Sequence, residues 1–227
     1  MKTVGILCPS DEELAPFLPA LADDQVSRVM GREIHRGTVD GRPVLALYSG
    51  VCKVNAAMAA QTLLSAGAEA LMVCDVAGGL SPSLLPTEVV LGAEVAYHDV
   101  TPDILTEFYP WLPSVWFPAD PVLLAAAQRA AAACSLPVHT GRIVTGESFI
   151  AGAERERILR DFAPLAVDME SAAVAHVCHV QGVPFLALRA ITDSAREESH
   201  ADFEANLPRA SACAAALCLA TLADPSF

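Results

Sequence analysis

Two stretches of this chain place carboxylates where a strand gives way to a turn. Residues 165–167, Leu-Ala-Val, are a short apolar strand that runs directly into Asp168-Met169-Glu170. Further on, an almost unbroken apolar run over residues 185–191 reads as a strand buried on both faces, and it carries Arg189 and ends at Asp193. Between them lie small and apolar residues at helical spacing (Ala172, Ala173, His176, Val177, Val180) and the turn Gly182-Val183-Pro184. Open α/β sheets bind ligands beyond the carboxyl ends of their strands. A strand–helix–strand unit with acids at both strand ends therefore has the layout of an acid–base site. Two other places could join it. Ser10 followed by Glu13 fits a capping box at a helix start, and capping alone would account for Glu13 on that fragment. Ala77-Gly78-Gly79-Leu80 follows another buried strand; glycines there suit either a close backbone approach to a ligand or a plain tight turn.

The rest of the chain supplies the frame. Strands are expected over residues 3–8, 32–39, 43–49, 70–76, 88–97 and 138–144. Helices are expected from residue 11 to about 21 and over 53–66, 121–133, 151–161 and 201–223. Asp40-Gly41 predicts a hairpin turn between the second and third strands. Residues 102–120, with four prolines and both tryptophans, predict an irregular lid or interface. Strands and helices alternate, so the fold class is α/β with a central, largely parallel sheet, and residues 1–227 read as one domain without repeat or linker.

Composition narrows the function classes. At 53% hydrophobic and 18% charged, the 227 residues suit a globular protein with a large core. A net charge of −13 and no basic face argue against a nucleic-acid partner. No apolar run reaches the roughly 18 residues of a membrane span, and the N-terminus lacks the pattern of a signal peptide, so a cytoplasmic protein is expected. The seven cysteines are scattered among apolar neighbours and read as buried free thiols. His176 and His179 flank Cys178 without an evident third ligand, so core or interface packing is expected there and no metal.

Several short stretches, taken in order, carry a resemblance. They are Gly5-Ile6-Leu7 with Glu13, Ser49-Gly50-Val51 with Lys53-Val54, Ala77-Gly78-Gly79-Leu80 and Tyr97-His98-Asp99. Gly146 with Phe149-Ile150, Val167-Asp168-Met169-Glu170 and Arg189-Ala190-Ile191-Thr192-Asp193 complete the set. Together they resemble the 5′-methylthioadenosine/S-adenosylhomocysteine nucleosidases of the purine nucleoside phosphorylase superfamily. The resemblance implies a three-layer α/β/α sandwich around a mixed sheet, a homodimer, and no metal or organic cofactor. It also implies hydrolysis of an N-glycosidic bond, with a purine nucleoside as the small-molecule partner and adenine and a 5-thioribose sugar as products.

By the same resemblance, Asp193 is the general acid at purine N7, a role that requires it to be held protonated by a desolvating environment. Capping of a turn is the structural alternative for Asp193. Glu170 is implied to hold the ribose 2′- and 3′-hydroxyls, and Glu13 to take a proton from the attacking water. Phe149 would stack on the base, Ile150 bond to adenine through its backbone, Met169 pack under the sugar, Gly78 make a backbone contact and Arg189 orient the carboxylates or the water. The chain departs from the family pattern at Asp75-Val76, where Gly-Ser is usual, and at Pro9-Ser10-Asp11-Glu12, where Ala-Met-Glu-Glu is usual. A buried Asp75 would need a partner of its own. Other readings remain open: a futalosine or aminodeoxyfutalosine hydrolase, a phosphorylase of the superfamily, or a non-catalytic nucleoside-binding protein. Acids around residues 11–13 would repel a phosphate dianion.

Overall fold

The computed structural model describes residues 1–195 and 199–226. β1 (Val4–Cys8) leads through Ser10 into one helical turn, α1 (Asp11–Leu14), and a short 3₁₀ turn, Leu18–Ala20. The expected helix to residue 21 is thus broken. Pro16 and Pro19 lack the N–H that a continuing helix would use. The chain continues into β2 (Ala22–Val29), a strand not foreseen because all eight residues are exposed and carry no alternating apolar face. β3 (Arg32–Val39) and β4 (Arg42–Tyr48) form the expected hairpin, with Val39 opposite Arg42. Asp40 and Gly41 both take positive φ, 48° and 79°, as a type I′ turn requires.

After α2 (Lys53–Ser65) come β5 (Ala70–Gly79), β6 (Val89–Tyr97), α3 (Ile104–Glu107), β7 (Phe117–Pro118) and α4 (Pro121–Cys134). The chain closes with β8 (Val138–Thr145), α5 (Ala153–Phe162), β9 (Ala166–Asp168), α6 (Ser171–Gln181), β10 (Phe185–Asp193) and α7 (Ser199–Leu222). Strand order is β10-β6-β8-β9-β5-β1-β4-β3-β2, and β10 also pairs with β5. The strands β5, β10, β6, β8 and β9 therefore close into a ring, from which β1, β4, β3 and β2 extend as an open sheet. Parallel pairs join β1 to β4 and β5, β5 to β10, and β8 to β6 and β9; the remaining pairs are antiparallel, giving a mixed sheet.

Alternate residues of β5 feed two cores. Met72, Cys74 and Val76 pack with α4 and α7, while Leu71, Val73 and Ala77 pack with α2 and α6. These are the three layers: helices on both faces of one sheet. Each fully buried aliphatic side chain contributes about 1.5–3 kcal/mol, so the two faces anchor the strand ends firmly. By length and composition residues 200–222 could cross a membrane, against expectation. Here the alanines and cysteines that raise the hydropathy, among them Ala210, Ala214 and Cys218, are buried in the first core. Not every thiol is inside: Cys134, at the end of α4, is exposed.

Candidate active site

The carboxyl ends of β5, β9 and β10 meet α1, the loop after β8 and the first turns of α7 around a cavity of about 340 Å³. Seven of the eight residues singled out by sequence line it: Glu13, Gly78, Phe149, Ile150, Met169, Glu170 and Asp193. The eighth, Arg189, is fully buried behind the wall. None of residues 102–120, the irregular segment, lines the cavity. Its Phe108, Tyr109 and Trp111 are exposed, and its Phe117 is packed in the core.

Glu13 does two things at once. Its Oε2 accepts from the Ser10 backbone N–H (2.9 Å) and hydroxyl (2.7 Å), completing the capping box of α1, yet the residue also faces the cavity. Both capping contacts use the same oxygen. Burial pushes the Glu13 carboxyl above its usual range, opposed by the Ser10 hydrogen bonds and the Arg189 charge.

Asp193 ends β10 at an irregularity in its pairing with β5. Oδ1 accepts from the Ala195 N–H at 2.8 Å and Oδ2 lies 2.9 Å from the Thr192 hydroxyl, so this acid also caps a turn. Gly78 sits opposite Asp193 in the ladder, and a Cβ on it would stand 3.3 Å from Asp193 Oδ1. β5 runs on through Gly79, so close approach rather than a tight turn explains the glycine.

Glu170 stands at the start of α6 but does not cap it. Its Oε1 instead accepts from the Cys52 N–H, 2.9 Å away, at the start of α2. Cys52 adopts φ 81°, uncommon for a side-chain-bearing residue. Burial pushes the Glu170 carboxyl up to about 7, only partly relieved by Arg189.

Arg189 binds the wall together. Nη1 pairs with Asp75, Nε lies 2.9 Å from Asp168 Oδ2, Nη2 lies 3.6 Å from Glu170 Oε2, and Ser171 Oγ accepts from Nε and Nη2 at 3.0 Å each. The partner that a buried Asp75 demands is thus Arg189. Sequence reasoning did not place Asp168 among the site residues. It accepts from the Thr145 hydroxyl and from the N–H groups of Glu170 and Ser171, and its position between a strand and a helix start was the available signal. His200, also missed, stacks on Phe149 with centroids 4.2 Å apart at 15°. Nothing local in the sequence links a residue of α7 to the loop after β8. The His176 ring stacks on Phe117 at 5.3 Å, the packing role expected of it.

Among the acids that line the cavity, Glu13, Glu170 and Asp193 stand on separate elements, and with an aromatic wall and a backbone edge they suit acid–base cleavage of a bond to a flat leaving group. Fold and site together are those of an N-glycosyl hydrolase. The chain belongs to the phosphorylase superfamily, whose model matches residues 3–223. Among solved structures, it is similar to 5′-methylthioadenosine/S-adenosylhomocysteine nucleosidase from Neisseria meningitidis in complex with methylthio-immucillin-A. That match has 32% identity and a TM-score of 0.91, over 97% of this chain and 98% of that one. The corresponding nucleosidase from Colwellia psychrerythraea 34H, in complex with adenine, is 32% identical with a TM-score of 0.90, over 97% and 94% of the two chains. Futalosine hydrolase of Helicobacter pylori is 27% identical with a TM-score of 0.89, over 97% of each.

Proposed function

We propose that this enzyme hydrolyses the N-glycosidic bond of 5′-methylthioadenosine and S-adenosylhomocysteine, with 5′-deoxyadenosine within reach of the same site. The observation that carries the reading is the convergence of Glu13, Glu170 and Asp193 on one cavity beside Phe149 and Ile150. Cleavage of the C1′–N9 bond leaves positive charge on the ribose and an electron pair on the purine. Asp193 gives its proton to N7 as the base leaves, Glu170 accepts from the 2′- and 3′-hydroxyls, and its charge steadies the oxocarbenium-like ribose. Water adds to C1′ and Glu13 takes its proton. Phe149 stacks on adenine, Ile150 bonds it through the backbone, Met169 packs under the sugar, Gly78 supplies a backbone contact and Arg189 holds the carboxylates in place.

The likeness to a futalosine hydrolase favours one second reading, aminodeoxyfutalosine as substrate on the same acid–base set. The proposal carries with it a cytoplasmic enzyme of methionine salvage and a homodimer; exposed Phe108, Tyr109 and Trp111 support such an interface.

Adenine release from methylthioadenosine, S-adenosylhomocysteine and aminodeoxyfutalosine, each with and without phosphate, tests the reading. Phosphate-independent release, fastest with the first two, is expected. Release that requires phosphate would overturn the assignment of Glu13. Asp193→Asn is expected to lower kcat by about 10²–10⁴-fold while the protein stays folded. Undiminished turnover in that variant would remove Asp193 from the mechanism.

A further inference from the structure

One guanidinium serves three buried carboxylates. Asp75, Asp168 and Glu170 all lie within 4 Å of Arg189, and none of the four side chains is more than 4% exposed. Glu13 and Asp193, both buried, face the same cavity, and among the described residues no cation lies within ion-pair distance of either. Ionising all five acids against one guanidinium would leave a surplus of four negative charges out of water, and the proton that Asp193 holds as the proposed acid still leaves three. Buried groups in that position keep a proton instead.

The holder of that proton follows from the donors each acid has. Asp168 accepts from a hydroxyl and two N–H groups and meets Arg189 Nε. Asp75 accepts from the Val76 N–H and takes Arg189 Nη1. Glu170 is left with one N–H and the longest of the guanidinium contacts. We propose that Asp75 is a positioning residue that, by claiming Nη1 of Arg189, makes Glu170 the weakest-held carboxylate and so sets the lower pH limit of turnover. The proton on Glu170 passes to solvent before the ribose hydroxyls are gripped. The family resemblance puts glycine at position 75, so Asp75 is an added charge and not part of the inherited acid–base set.

Burial raises both the Glu170 and the Glu13 carboxyl, and for Glu170 the charges of Asp168 and Glu13 add to it; the part given to Asp75 rests on the guanidinium geometry. Other titratable groups face the pair. Cys52, with Lys53 and Glu147 beside it, flanks Glu170 from α2; Cys8, kept neutral by burial, flanks Glu13 from β1. Asp193 and His200 face the cavity from β10 and α7. Among the described residues, the hydrogen bonds and ion pairs of Asp75 run to Val76 and Arg189 and to none of these.

The inference rests on the proposed roles of Glu170 and Glu13. Its test is the pH profile of kcat/KM for adenine release by the wild type and by Asp75→Asn, a nearly isosteric loss of charge. The acid limb is expected to move down by about one pH unit, with KM at pH 6 improving more than kcat. A folded variant whose profile coincides with the wild type overturns the proposal, since a merely structural Asp75 would change stability and not the limb. Should the variant not fold, infrared spectra of the wild type at pH 6 decide. A protonated-carboxyl band that Glu170→Gln removes and Asp193→Asn leaves in place supports the proposal, and a spectrum in which Glu170→Gln removes no band overturns it. Absence of adenine release by the wild type would instead refute the proposed function, and the infrared band would still judge the proton.

Discussion

The site end of the molecule holds two clusters built alike and behaving oppositely. Arg189 stands among Asp75, Asp168 and Glu170; Lys53 stands between Asp99, at 2.8 Å, and Glu147, at 3.9 Å. The Arg189 group is sealed, whereas the Lys53 group has side chains 20–45% exposed. For Glu170, burial dominates and carries the carboxyl to about 7. Burial also pushes Asp99 up, but hydrogen bonds from Lys53 and the Glu147 N–H outweigh it and hold the carboxyl below its usual range. Three acids to one cation against two to one does not by itself separate the two clusters. Access to water does, because water stabilises the spare carboxylates of one and not of the other. A group poised to gain or lose a proton near neutrality belongs to the sealed cluster; the wet one braces the loops after β6 and β8 against α2.

Removing the cation from each should expose that difference most strongly. Arg189→Met leaves Asp75 and Asp168 buried without a counter-charge and should cost about 3–5 kcal/mol in urea unfolding, with loss of activity. A cost near that of a surface substitution would mean that water already reaches the cluster. The next effect is the pH dependence of stability. The folded-state carboxyl of Glu170 titrates above its unfolded value, so its contribution is fully present below about pH 4.5 and lost as pH rises through about 7. The melting temperature of the wild type should therefore rise between pH 8 and pH 5, by an effect of up to roughly 3 kcal/mol, and Glu170→Gln should flatten that slope. An unchanged slope in the variant would assign the proton elsewhere. Smallest is Lys53→Met, expected to cost about 0.2–1 kcal/mol, with added salt mimicking part of the loss. A larger cost, insensitive to salt, would place the Lys53 cluster with the sealed one.

Much of the site could be read from the chain because its residues sit at strand ends, where periodicity stops and chemistry begins. Asp168, Glu170 and Asp193 each follow an apolar run, and Glu13 follows a capping serine at a helix start. Asp75 was noticed only as a departure, since a lone acid inside an apolar strand gives no sign of which cation it meets. The strand over Ala22–Val29 escaped for a different reason: an edge strand with both faces exposed leaves no apolar rhythm.

Residue types and spacing alone determined the alternation of strands and helices, the I′ turn at Asp40-Gly41, the capping box at Ser10 and the acids at the strand ends, because each depends on contacts within a few residues. Tertiary structure alone decided the ring closed by the β10–β5 pairing, the hold of the α2 N-terminus on Glu170, the stacking of His200 on Phe149 and the sharing of Arg189 among three acids. Those join residues as far apart as Cys52 and Glu170, whose meeting depends on which strand faces burial selects. The extra proton at the site follows from that burial: the chain supplies the charges, and the fold withholds the water that would let all of them ionise.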